Sequence, residues 1–149
     1  MVPEIIYNGS KIMYMTIPKL KITLIDSLNF LPMRLSALPK AFGLQELKKG
    51  YFPHFFNTAI NQHYVGPYPL PDMYGVDSMS SQERESFLVW YSQRKGEVFD
   101  FRKEIEAYCR SDVDILRRAC MKFRQLMLDL TEMDPFTNVT IASVCMAVR

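Results

Sequence analysis

The sequence predicts an α/β chain. Three observations carry that prediction: alternating apolar segments within the first 26 residues, an amphipathic stretch from about Asp100 to Leu130, and enough apolar residues to bury a core. Of 149 residues, 48% are hydrophobic, 13% aromatic and 23% charged, which allows one ordinary domain and excludes overall disorder. Eighteen Lys and Arg against sixteen Asp and Glu leave +2. That is too little to hold nucleic acid or an anionic membrane by bulk charge, so any such binding is local.

The elements follow in chain order. Ile5 to Tyr7 and Lys11 to Met15 flank Asn8-Gly9, a pair that accepts the positive φ of a two-residue turn, which predicts a hairpin. A third strand follows Pro18, with Leu20, Ile22 and Leu24 on one face and Ile25 suggesting cover on the other; the three strands are expected to form a small mixed sheet. Pro32 and Pro39 bracket a short helix from about Met33 to Phe42, closed by Gly43. Residues 50–79 carry four of the nine prolines and many aromatics without a sustained period, and read as an ordered insertion packed by its own rings. Ser80-Ser81-Gln82-Glu83 is a capping box opening a helix with Phe87, Trp90 and Tyr91 inside and Gly96 past its end.

The long helix can be laid on a wheel at about 100° per residue. With Ile105 at zero, Tyr108, Cys109, Leu116, Ala119, Cys120, Phe123, Leu126, Met127 and Leu130 fall within about 60° of it. That stripe predicts Ile105, Phe123 and Met127 turned to the sheet and Arg110, Arg117 and Lys122 to solvent. The three cysteines, Cys109, Cys120 and Cys145, have no CxxC spacing and read as buried thiols without a disulfide partner. His54 and His63 lie nine apart with no metal-site pattern. The longest apolar run, Val139 to Val148, is interrupted and about half a membrane span, and the N-terminus lacks a signal-peptide pattern, so no membrane association and an intracellular location are expected.

Asp112 stands out. It lies about 20° from the centre of the apolar stripe, where an uncompensated charge costs several kcal/mol, so it needs a basic residue, hydrogen bonds or a metal ion. Tyr108, one turn earlier, projects to the same place; the pair reads either as a phenol that orients water beside a metal-holding acid or as a Tyr–Asp hydrogen bond that fixes the helix. Asp114 points about 200° away from Asp112 and is no partner.

Tyr108-Cys109-Arg110-Ser111-Asp112 resembles the third exonuclease motif, Tyr-x-x-x-Asp, of family B DNA polymerases. Asp26-Ser27-Leu28-Asn29-Phe30-Leu31-Pro32 resembles the Ser/Thr-Leu-x-x-hydrophobic motif of the protein-primed subgroup, in the fitting order and separation. Leu47 to His54, Tyr64 to Pro69 and Thr140 to Cys145 look like the polymerases of Maverick or Polinton transposable elements and related viruses. The resemblance implies a ribonuclease H-like fold, with Asp112 a ligand of Mg²⁺ or Mn²⁺, Tyr108 positioning the attacking water, and Ser27, Leu28 and Leu31 contacting a single-stranded DNA primer end. It gives Lys49 a role assisting the exonuclease, with Lys48 as rival. Read without it, both lysines are equally solvated surface residues, Ser27 or Asp26 is a turn cap, and Leu28 is core.

The departures are as informative. The family's first acidic motif, Asp-x-Glu, occurs nowhere in the chain, and no His-Asn precedes a Tyr-Asp or Phe-Asp. Residues 1–149 are therefore expected to be one partial domain, the second half of an exonuclease domain, incomplete without the remainder of a polymerase and inactive alone. A non-catalytic remnant or interaction module with at most weak single-strand binding is the alternative.

Overall fold

The computed structural model describes residues 2–44 and 50–148. It comprises two compact units, Met1–Glu46 with Ile115–Arg149, and Leu47–Asp114.

In the first unit β1 (Glu4–Asn8), β2 (Lys11–Ile17) and β3 (Ile22–Ile25) form a sheet in the order β1-β2-β3, both pairs antiparallel. The expected mixed sheet is thus antiparallel throughout. The physical reason is the brevity of the connections, since a parallel neighbour needs a crossover of a dozen residues or more. Asn8 pairs with Lys11, so the loop residues are Gly9 and Ser10, one position later than the Asn-Gly signal placed them. Gly9 has φ +61° and sits first in the loop, the arrangement of a type II′ turn. Leu20 ends a 3₁₀ turn, Pro18–Leu20, instead of opening the third strand.

Ile5 and Leu24 both pair with Met15, and Ile22 pairs with Ile17, which gathers these residues on one apolar face. No strand residue of this sheet is buried, and Leu20, Ile22 and Leu24 are 60%, 44% and 49% exposed. The core of this unit lies elsewhere. Phe30, Leu31, Leu38 and Leu44 are buried, as are Ile115, Ala119 and Val144. Phe30 meets Phe136 edge-on at 5.3 Å and Phe123 at 6.2 Å, so Phe123 packs on aromatic rings of connecting segments. The short helix α1 (Leu38–Ala41) contains Pro39 in its first turn, where a missing N–H costs nothing, and Gly43 follows with φ +63°. Thr140 and Ser143 complete a reciprocal capping box for α2 (Ile141–Ala147).

In the second unit, residues 50–79 are ordered by 3₁₀ turns and by β4 (Val65–Pro67), which pairs antiparallel with β5 (Val98–Asp100). Phe52, Phe99 and Phe101 form one buried cluster, and Tyr74, Val76 and Phe87 another. Ser80 caps α3 (Ser81–Ser92) by accepting from the Glu83 amide at 3.3 Å, and Gly96 beyond its end has φ +90°. The long helix α4 (Phe101–Thr131) begins after Asp100, whose side chain accepts from the Lys103 amide at 3.3 Å. It contributes residues 101–114 to this unit and 115–131 to the first.

Its wheel is correct in outline and displaced in detail. Ile105 packs on the Phe52–Phe99–Phe101 cluster, while Arg110, Arg117 and Lys122 are exposed. The most buried positions, Phe101, Ile115 and Ala119, centre about 50° to one side of Ile105. Cys109 falls on the far rim and is exposed, as is Cys145, so the expectation of buried thiols fails for both; Cys120 is partly buried, and desolvation pushes its thiol upward. Leu126 and Leu130, also assigned inside, are 52% and 79% exposed.

Candidate functional site

Helix α4 positions Tyr108 and Asp112. Residues 101–131 contain no Gly or Pro, and the helix runs unbroken through Ser111 and Asp112. Both side chains are half-buried and project to one side of the helix, one turn apart. Oδ1 of Asp112 is closed to solvent and the residue is engaged by its surroundings. The acid thus takes the inward position that the wheel assigned.

The Tyr108 ring is held on two sides. Its centroid lies 5.3 Å from Phe52 and 5.5 Å from His54, the latter edge-on, and its hydroxyl meets His54 Nε2 at 3.5 Å, the limit of hydrogen-bond reach. His54 opens the 3₁₀ turn His54–Phe56, directly after buried Pro53, and its ring lies 5.5 Å from Phe52. Sequence reasoning weighed His54 only as a metal ligand and missed this role. In Phe52-Pro53-His54 a buried ring and a proline shape the turn that carries the imidazole, but no local signal pairs it with Tyr108. A phenol beside an imidazole, one helical turn from a carboxylate, can orient a water molecule and accept or return its proton.

The Ser27–Leu31 segment belongs to the other unit. Asp26 is its cap, accepting from the Leu28 amide at 3.0 Å, so the capping alternative falls to Asp26 and not to Ser27. Asn29 Nδ2 and the Asp26 amide both donate to the Met13 carbonyl, at 3.0 and 3.1 Å, which pins the turn to β2. Leu28 is 51% exposed and is not the core residue its type suggested; Leu31 is buried. The turn therefore offers Leu28, and not Leu31, to an outside partner. Lys48 and Lys49 lie outside the described residues.

Among the described residues no three of His, Cys, Asp and Glu come together as a metal-holding group. A two-metal clamp on attacking and leaving oxygens does not fit that donor set. No helix among them is long and apolar enough to cross a membrane.

Comparison with known proteins places the chain in a family. The chain is 36% identical over 94 residues to a probable DNA polymerase of Podospora anserina, covering 62% of this chain and 7% of that protein. It is 31% identical over 129 residues to a probable DNA polymerase of Neurospora intermedia, covering 83% and 13%, and 27% identical over 155 aligned positions to one of Ascobolus immersus, covering 97% and 13%. The chain thus spans about a tenth of the length of these relatives. No solved structure matches it. The model of one family, DNA polymerase type B, organellar and viral, matches residues 1–148, and with that coverage the chain belongs to the organellar and viral type B DNA polymerases.

Proposed function

We propose that this portion of a type B DNA polymerase belongs to the 3′ to 5′ proofreading region of a protein-primed enzyme, within a ribonuclease H-like fold, and serves DNA replication. One observation carries the reading: Asp112 has an oxygen closed to solvent on the inward side of an unbroken helix, one turn after a tyrosine whose hydroxyl meets His54. In that role Asp112 supplies one carboxylate toward Mg²⁺ or Mn²⁺, Tyr108 positions the attacking water, and Lys49, or its neighbour Lys48, assists. Because the described donors do not assemble a metal centre, the other acids come from elsewhere in the polymerase, and no hydrolytic step is assigned to this chain by itself. Ser27 and exposed Leu28 present the contact for a single-stranded primer end. Kinship with Maverick or Polinton polymerases is supported by the likeness of residues 47–54, 64–69 and 140–145.

The test is release of 3′ nucleotides from single-stranded DNA with Mg²⁺ or Mn²⁺, by the 149-residue chain and by a polypeptide joining it to the remainder of a type B polymerase. Activity is expected only in the joined form, falling steeply on Asp112→Ala and less on Tyr108→Phe. Cleavage by the short chain that survives Asp112→Ala would refute the assignment. A joined form that binds single strands without cutting them would favour the non-catalytic module.

A further inference from the structure

One recess of the second unit has no part in the site above. It has a volume of about 330 Å³ and lies where β4 and the segment after it meet the residues that follow α3, lined by Pro67, Tyr68, Tyr91, Arg94, Lys95 and Glu97 among others. We propose that this recess holds one unstacked base of single-stranded DNA, with the adjoining phosphodiester on Lys95; the proposal rests on reading the chain as a segment of a polymerase that handles single strands.

The chemistry of the lining selects that ligand. Two tyrosines and a guanidinium give flat surfaces of the kind on which bases stack irrespective of sequence. Arg94 is pre-organised: its Cζ lies 4.3 Å from the centroid of the Trp90 ring and its Nη1 donates to the Trp90 carbonyl at 3.4 Å. A guanidinium has two faces, and Trp90 occupies one. Tyr68 is fixed as well, its hydroxyl donating to Glu104 at 3.3 Å and its ring 5.2 Å from Phe99. Groups held in this way lose little freedom when a ligand arrives. Lys95 is exposed and free to follow a backbone phosphate.

Glu97 refines the choice. A carboxylate in the lining disfavours a multiply charged anion such as a nucleoside triphosphate, whereas a DNA strand brings one charge per nucleotide and bases with amino groups that can donate to the acid. Duplex DNA keeps its bases stacked and cannot place one in the recess. Tyr68 and Tyr108 both pack on the Phe52–Phe99–Phe101 cluster, so the recess and the candidate exonuclease tyrosine are mounted on a single aromatic core.

The experiment is ultraviolet cross-linking of the 149-residue chain to an iododeoxyuridine-substituted oligonucleotide of about 12 nucleotides, with the cross-linked peptides mapped by mass spectrometry. Binding of the same oligonucleotide is followed by anisotropy across a salt series for wild type, Lys95→Ala, Tyr91→Leu and Leu28→Ala, with Trp90 fluorescence confirming that each variant is folded. Cross-links are expected at Tyr68 or Tyr91. Tyr91→Leu should weaken binding by about 5- to 100-fold. Lys95→Ala, which removes only an exposed charge, should reduce the slope of log affinity against log salt by about one. Cross-links confined to other peptides, with Lys95→Ala and Tyr91→Leu binding like wild type, would overturn the recess and leave the Leu28 contact standing. Cross-links at Tyr68 or Tyr91 with Leu28→Ala unchanged would do the reverse. Absence of binding by the wild-type chain, or equal binding of duplex, would overturn both.

Discussion

Phe87 offers the sharpest test of how the second unit is held together. It is completely buried, with ring centroids of Tyr51, Tyr74, Trp90 and Tyr91 between 5.1 and 5.7 Å away. Phe87→Ala removes a ring of roughly 100 Å³, and at about 24 cal/mol per Å³ of uncollapsed cavity this alone costs about 2 kcal/mol. Loss of the transfer free energy brings the expectation to about 3–5 kcal/mol, a large part of the stability of a small domain. The assay is urea unfolding followed by Trp90, the single tryptophan, which packs within 5.7 Å of Phe87 and so reports this cluster directly. With a slope of about 1–3 kcal/mol per molar urea, the midpoint should drop by about 2 M. A drop below about 0.5 M at unchanged slope would show that the four neighbouring rings close over the space, and that the cluster does not have the fixed packing described.

Asp134→Asn should destabilise the first unit in a pH-dependent way. The hydrogen bond from Arg124, with Nε at 2.9 Å, holds the Asp134 carboxyl below its usual range. A depressed folded value means that the stabilisation is complete above the unfolded pKa of about 3.9 and is lost as pH falls through the folded value. Thermal unfolding by circular dichroism should therefore separate variant from wild type at pH 7, with the gap closing toward pH 2; a gap independent of pH would refute the linkage. Leu24→Lys, on the open apolar face of the β1–β2–β3 sheet, should change stability by no more than about 0.5 kcal/mol while reducing self-association in light scattering, since it removes exposed apolar surface and adds an edge-strand charge. Unfolding of this variant would show that the face is covered.

Local chemistry was readable wherever it competed with nothing else. The Ser80 cap, the start of α4 after Asp100 and the positive φ of Gly9, Gly43 and Gly96 follow from side chains and backbone preferences acting within a few residues. The Tyr108–Asp112 pair was legible for the same reason, because helical geometry alone brings positions four apart together. His54 was not. Fifty-four residues separate it from Tyr108, and no periodicity carries information over that distance.

By itself, then, the sequence determined the α/β class, the long helix with its inward acid, and the turn that carries Leu28. Tertiary structure decided which apolar residues find cover. Ile22 and Leu24 have the alternation of a core-facing strand yet remain exposed, and Cys109 and Leu130 lie in a helical stripe yet face outward. Periodicity states which residues share a face, but burial requires a second surface to pack against that face. Where that surface is supplied by residues distant in the chain, as Phe30 and Phe136 supply it for Phe123, only the folded molecule shows it.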